Sequence, residues 1–189
     1  MPVWTWIVIA AVIVIAIVAL VVASSASRRK RSERLKSNFG PEYDRTVAET
    51  GDEKAAEKEL VARERKRNKL DIRPLSSEAL NEYTTRWGMV QTAFVDNPSS
   101  AVGEADRLVT EVMHARGYPV EDFEEQAAHV SVDHPTVVEH YRAAHGVHLA
   151  QNNVEVGTED LRKAFVHYRA LFSKLLETSE KNSSQEATA

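Results

Sequence analysis

The chain has 189 residues, a formal net charge of −4 and no cysteine. Without cysteine there are no disulfides, no thiol catalysis and no Cys-ligated zinc. The length supports one globular domain with a real core rather than two.

The first element is an apolar run from Val3 to Ala23, 21 residues without a charge and with Thr5 as its one polar side chain. As a helix it would measure roughly 30 Å, about the hydrocarbon thickness of a bilayer. A helix that is apolar all round has no wet face, so residues 1–27 are expected to form a transmembrane anchor. A cleaved signal peptide is the rival reading, with Ala23-Ser24-Ser25-Ala26 as its small-residue cleavage site. It lacks a basic leading region, and the run is longer than such peptides use.

Six bases (Arg28, Arg29, Lys30, Arg31, Arg34, Lys36) then stand against one acid, Glu33. Bases beside a span stay cytoplasmic, so the amino terminus should lie outside and the remainder inside. Trp4 and Trp6 suit the outer interface, and the basic flank would attract anionic lipid.

Residues 28–73 are expected to form a basic juxtamembrane segment and a charged helical stalk. Asn38-Phe39-Gly40-Pro41 breaks the chain. From about Glu42 to Leu70 the sequence is rich in Ala, Glu, Lys and Arg, with Gly51 as an interruption. Acids crowd its first half and bases its second, matching a helix macrodipole, and Glu59 pairs with Arg63 at i,i+4. The apolar stripe is thin (Val47, Ala56, Leu60), so a mostly solvated helix is expected rather than a coiled coil.

Residues 74–178 read as an acidic helical bundle of five helices. From Pro74 to the end, nine bases face 18 acids. Such a balance repels phosphate backbones and argues against nucleic-acid binding. The first helix spans about Ser77 to Phe94, with Leu80, Tyr83, Trp87, Val90 and Phe94 on one face. Asn97-Pro98 opens the second, whose stripe is Val102, Ala105, Val109, Val112 and Met113, and Gly117 closes it. A short third helix runs from about Val120 to Val130. Asp133-His134-Pro135 opens the fourth, with Val138, Tyr141, His145 and Leu149 inward and Gly146 weakening it. Thr158 caps the fifth, whose stripe is Leu161, Phe165, Tyr168, Phe172 and Leu175. Residues 179–189 are small and polar and read as a disordered tail. No stretch alternates with a strand's period, so the expected fold is all-α. Val95-Asp96-Asn97-Pro98 and Val132-Asp133-His134-Pro135 look like one helix-start solution used twice.

Several motifs together, FGPEYDRTV, IRPL, W-x-x-V-Q-x-x-F-V-D-x-P, A-D-R-L-V, R-G-Y-P, S-V-D-H-P, V-V-E-H-Y-R-A-A-H and T-E-D-L-R-K-A-F-V-H-Y-R, span about Phe39 to Leu176. In this the chain resembles a family of small bacterial proteins described as membrane or secreted proteins. The N-terminal span is part of the likeness; the resemblance implies no particular activity, and the description as secreted keeps export open as an alternative.

All seven histidines lie between His114 and His167. His140, His145 and His148 with Glu139 raise a metal site, but His140 and His145 are five apart and no H-E-x-x-H occurs. His145 is expected in or beside the core with its ring hydrogen-bonded. A pH-sensing role is the intermediate reading. Asp106 and Arg142 are expected to pair between the second and fourth helices, fixing register. As a catalytic acid Asp106 lacks a partner placed by the sequence. There is no G-x-S-x-G and no phosphate-binding glycine loop. Trp87, Phe94, Tyr118, Phe123, Tyr141 and Tyr168 read as core. No catalytic, cofactor-binding or metal residue is assigned and no cofactor is expected. The reading is a membrane-tethered, non-enzymatic interaction domain facing the cytoplasm, with an unidentified protein partner. The alternatives are an exported helical domain and a His-dependent metal-binding or enzymatic one.

Overall fold

The computed structural model describes Trp4 and residues 28–186, with side chains as far as Ser179. The expected anchor from Val3 to Ala23 therefore lies outside the described residues, Trp4 apart. Among the described residues no helix is long and apolar enough to cross a membrane. They form eight helices and no strand: α1 (28–39), α2 (Pro41–Thr50), α3 (Glu53–Arg67), α4 (Ser77–Asp96), α5 (Pro98–Ala115), α6 (Phe123–Asp133), α7 (Val138–Ala150) and α8 (Thr158–Glu186).

The main core is built from α4 to α8. α8 lies along both α5 and α7, and α4 closes on α5. The stripes expected on α5 and α8 are the buried residues: Val102, Ala105, Val109, Val112 and Met113 meet Leu161, Phe165, Tyr168, Phe172 and Leu175. Period-3.6 apolar spacing gives each helix one face to bury, and burial of each such side chain contributes roughly 1.5–3 kcal/mol. Trp87 of α4 stacks on Phe165 at 5.2 Å and Phe172 at 4.6 Å. Asn97 caps α5 as expected, accepting from Ser100 N at 3.1 Å with Pro98 in the first turn.

The stalk expectation is overturned. Residues 41–67 are two helices, not one solvated rod, and they fold onto α1 and α6. Gly40 (φ 51°) turns the chain between α1 and α2, and Gly51 (φ 68°) turns it again so that α3 packs on α2. A second core of Leu35, Phe39, Tyr43 and Leu60 results, all nearly inaccessible, with Val132 of α6 packed on it. The thin stripe is sufficient because the apolar residues are few but converge: Leu35 and Phe39 come from the basic segment, where charge had masked them. Arg34 pairs with Glu64 at 2.8 Å and Lys36 with Glu53 at 3.3 Å across the same seam.

Residues 68–76 carry the chain from α3 to α4. Arg73 N donates to Arg116 O at 2.9 Å. The Arg116 guanidinium, 2% exposed, donates through Nη1 to Leu175 O at 3.0 Å and through Nε to Arg73 O at 3.4 Å. Gly117 (φ 96°) lies under this strap: a Cβ there would sit 2.5 Å from Asp71 O.

Smaller expectations are also revised. α6 starts at Phe123, with Asp122 as its cap accepting from Glu125 N at 2.8 Å. Asp133 ends α6 instead of opening α7, which starts at Val138 after a turn and has no side-chain cap. The repeated Val-Asp-x-Pro start is therefore used only once, because the Asp133 carboxylate is taken by Arg67 and Tyr118. Thr158 is the first residue of α8 rather than its cap; Gly157 O accepts from Leu161 N at 3.1 Å. Leu149 is half exposed and Ala144 fills the inner place on α7. The expected disordered tail is helical to Glu186. Thr178 and Ser179 turn their hydroxyls back on the carbonyls of Lys174 and Leu175 (2.7 and 3.1 Å), so these side chains are satisfied within the helix.

Gly146 sits inside α7 with nothing within 4 Å of where a Cβ would stand. Gly146→Ala is expected to raise stability by about 0.5–1 kcal/mol, read from the urea midpoint.

Candidate functional site

Two polar groupings stand out. The first contains residues the sequence singled out. Because α7 runs unbroken through Gly146, His145 and His148 share a face three residues apart and both turn to Asp106 on α5. His145 Nδ1 lies 3.1 Å from Asp106 Oδ1, and His148 Nε2 lies 3.9 Å from Oδ2. The Tyr168 hydroxyl of α8 donates to Asp106 Oδ1 at 2.7 Å. Burial raises the Asp106 pKa, but hydrogen bonds from His145 and Tyr168 outweigh it and hold the carboxyl below its usual range. Burial, then the Asp106 charge, pushes the Tyr168 phenol far up. An ionised Asp106 only accepts, so His145 must present Nδ1–H to it. An Asp–His pair of this kind can orient a general base. Here Phe123 covers the His145 ring at 3.7 Å, nearly parallel.

The expected Asp106–Arg142 pair is therefore not formed. Arg142 reaches Glu42 of α2, Nη2 to Oε2 at 3.5 Å. The sequence reading had no neighbour for the outer face of α7; the α2–α3 hairpin supplies one, with a buried carboxylate. Nor do the histidines gather. His140 leaves the others and stacks on His167 with ring centroids 4.5 Å apart, and Glu139 and His114 are exposed. Among the described residues no group of three or more metal-ligating side chains is placed to hold an ion. A double-mutant cycle of Asp106→Ala with Arg142→Ala should be additive. The same cycle with Tyr168→Phe should deviate by about 1 kcal/mol or more, since that pair shares a buried hydrogen bond.

The second grouping was not legible in the sequence. A cleft of about 570 Å³ opens between α2–α3 and α6–α7. At its base Glu42, 1% exposed, meets Arg45 (3.4 Å), Arg63 (3.3 Å) and Arg142 (3.5 Å). Burial raises the Glu42 pKa against the pull of Arg45 and Arg63. Arg45 also pairs with Glu49 at 2.8 Å, Arg63 with Glu59, and Lys66 with Glu125 at 3.2 Å. Arg142 has no second partner: its Nε and Nη1 are buried without an acceptor, as is Nδ1 of the buried His129, which also lines the cleft. The i,i+4 pair Glu59–Arg63 was readable, but nothing in the sequence brings Glu42 to Arg142 across 100 positions.

Just after α6, His134 is 3% exposed and neither ring nitrogen has a partner. Burial pushes its pKa down to about 4. Above pH 6.5 the ring is neutral in both folded and unfolded chains. Between 6.5 and 4 the unfolded chain takes up a proton that the folded ring refuses, so stability falls as pH falls, by about 3 kcal/mol across the window. Urea midpoints at pH 7.5 and 4.5 should converge in His134→Phe relative to the parent chain.

No protein-family model, curated protein or solved structure matches the chain.

Proposed function

We propose that the chain is a membrane-tethered helical interaction domain whose folded body faces the cytoplasm. The observation that supports this most is the double character of α1. Its six basic side chains are all exposed, while Leu35 and Phe39 of the same helix are buried in the body. By sequence this helix follows an apolar run of bilayer length. The body is thus joined to the tether through a packed element and would sit close to the lipid. Charge gives it an orientation: the basic helix is drawn to anionic headgroups and residues 74–189, nine bases against 18 acids, are pushed away. Interaction is favoured over catalysis because the Asp106–His145 pair is roofed by Phe123.

The test is protease accessibility of a C-terminal tag in intact and permeabilised cells, with the mature chain sized on the same gel. A full-length chain whose tag is cut only after permeabilisation is expected. A tag cut in intact cells, or a chain shortened by about 25 residues, as signal cleavage would leave it, would make this an exported or envelope-facing domain.

A further inference from the structure

We infer that the cleft between α2–α3 and α6–α7 is a binding site for a small oxyanion, of the phosphate or carboxylate class, received by Arg142 and His129. Three guanidinium groups converge on the single carboxylate of Glu42, and all three contacts are long, 3.3 to 3.5 Å. Arg45 and Arg63 are completed by Glu49 and Glu59. Arg142 is left with one such contact, although its side chain is only 13% exposed. Two of its donor groups, Nε and Nη1, have no acceptor. A buried donor without an acceptor costs free energy that folding does not recover. On the adjacent helix, His129 is 4% exposed, lines the same cleft, and has an unpartnered Nδ1. Burial pushes this ring's pKa down, so near neutrality it is a neutral imidazole that can offer one N–H to an oxygen. These two groups come from α6 and α7 and need acceptors; a guanidinium N–H and an imidazole N–H each suit one oxygen of a small oxyanion.

The surroundings bound the ligand's size and charge. The volume of about 570 Å³ admits a small metabolite. Glu49, Glu59, Asp122, Glu124 and Glu125 in the lining disfavour extended polyanions such as nucleic acid. Glu42 competes with the ligand for the same guanidinium groups, so its removal should strengthen binding. A general loss of structure would not do that.

The experiment uses the full chain in a neutral detergent, titrated with inorganic phosphate and separately with succinate. The arginine Nε–H resonances are followed by NMR, with potassium chloride as the ionic-strength control. The expected result is a saturable shift of the Arg142 Nε–H with at least one of the two anions. Arg142→Gln should weaken binding roughly tenfold or more, the loss of a charge-assisted pair. Glu42→Gln should tighten it roughly threefold as the competing charge is removed. Saturation by both anions or by either one supports the site and names its class. A shift matched by potassium chloride, or none, would overturn it. So would binding unchanged in Arg142→Gln or weakened in a folded Glu42→Gln. If neither variant folds, the saturable Arg142 signal in the parent chain decides.

Discussion

Asp133→Ala is expected to cost about 3 kcal/mol, read from urea unfolding of the full chain. The Asp133 carboxylate accepts from Arg67 Nε at 2.8 Å and from the Tyr118 hydroxyl. Arg67 ends α3, Tyr118 follows α5 and Asp133 ends α6, so one side chain ties the N-terminal helices to the main bundle. Truncation leaves two donors without an acceptor. Tyr118 is 2% exposed and loses the full desolvation cost of its hydroxyl, roughly 1–3 kcal/mol. The Arg67 side chain is a quarter exposed, so water recovers part of its loss. Asp133→Asn keeps one acceptor oxygen and should cost less than half as much. Equal costs for the two would mean that the charge, not the hydrogen bonds, holds α3 in place.

Gly117→Ala should cost roughly 2–4 kcal/mol, from a left-handed residue gaining a side chain and from overlap with packed backbone. Its φ is 96°, and the added Cβ would meet Asp71 O at 2.5 Å. That atom is backbone and cannot swing away. The strap of residues 71–73 would have to lift, breaking the Arg73 N to Arg116 O bond. Gly146→Ala, with no neighbour within 4 Å, is the matched control with the opposite sign. If both substitutions stabilise, the strap does not lie over Gly117.

The main bundle was legible because its signals are local. Five apolar stripes at helical spacing, and Asn97-Pro98 as a start, need no tertiary knowledge. The N-terminal helices were misread for the opposite reason. Leu35 and Phe39 share a face of α1, but Tyr43 and Leu60 lie beyond charge-rich sequence and join them only through the turns at Gly40 and Gly51. A stripe of one apolar residue per turn reads as solvated until its neighbours are known. The same gap explains the site. Asp106 was singled out correctly as a half-buried carboxylate, but its partners, His145 and Tyr168, lie 39 and 62 positions away. Gly146 weakens the helical signal between His145 and His148, so their shared face is plain only once α7 is seen to run through it. Arg142 meets Glu42 rather than Asp106, because α2 packs on the bundle instead of standing off as a stalk. Each miss traces to a long-range contact, which periodicity does not encode.

Residues 28–67 belong to the folded body rather than to a solvated stalk. Native-state amide hydrogen exchange on the full chain in detergent tests this most directly, because protection reports the free energy of opening segment by segment. Amides around Leu35, Tyr43 and Leu60 are predicted to be protected to within about tenfold of those around Val109 and Tyr168, a difference of about 1.4 kcal/mol. Exchange of α1 to α3 near the rate of a solvated helix, beside a protected α5 and α8, would contradict it.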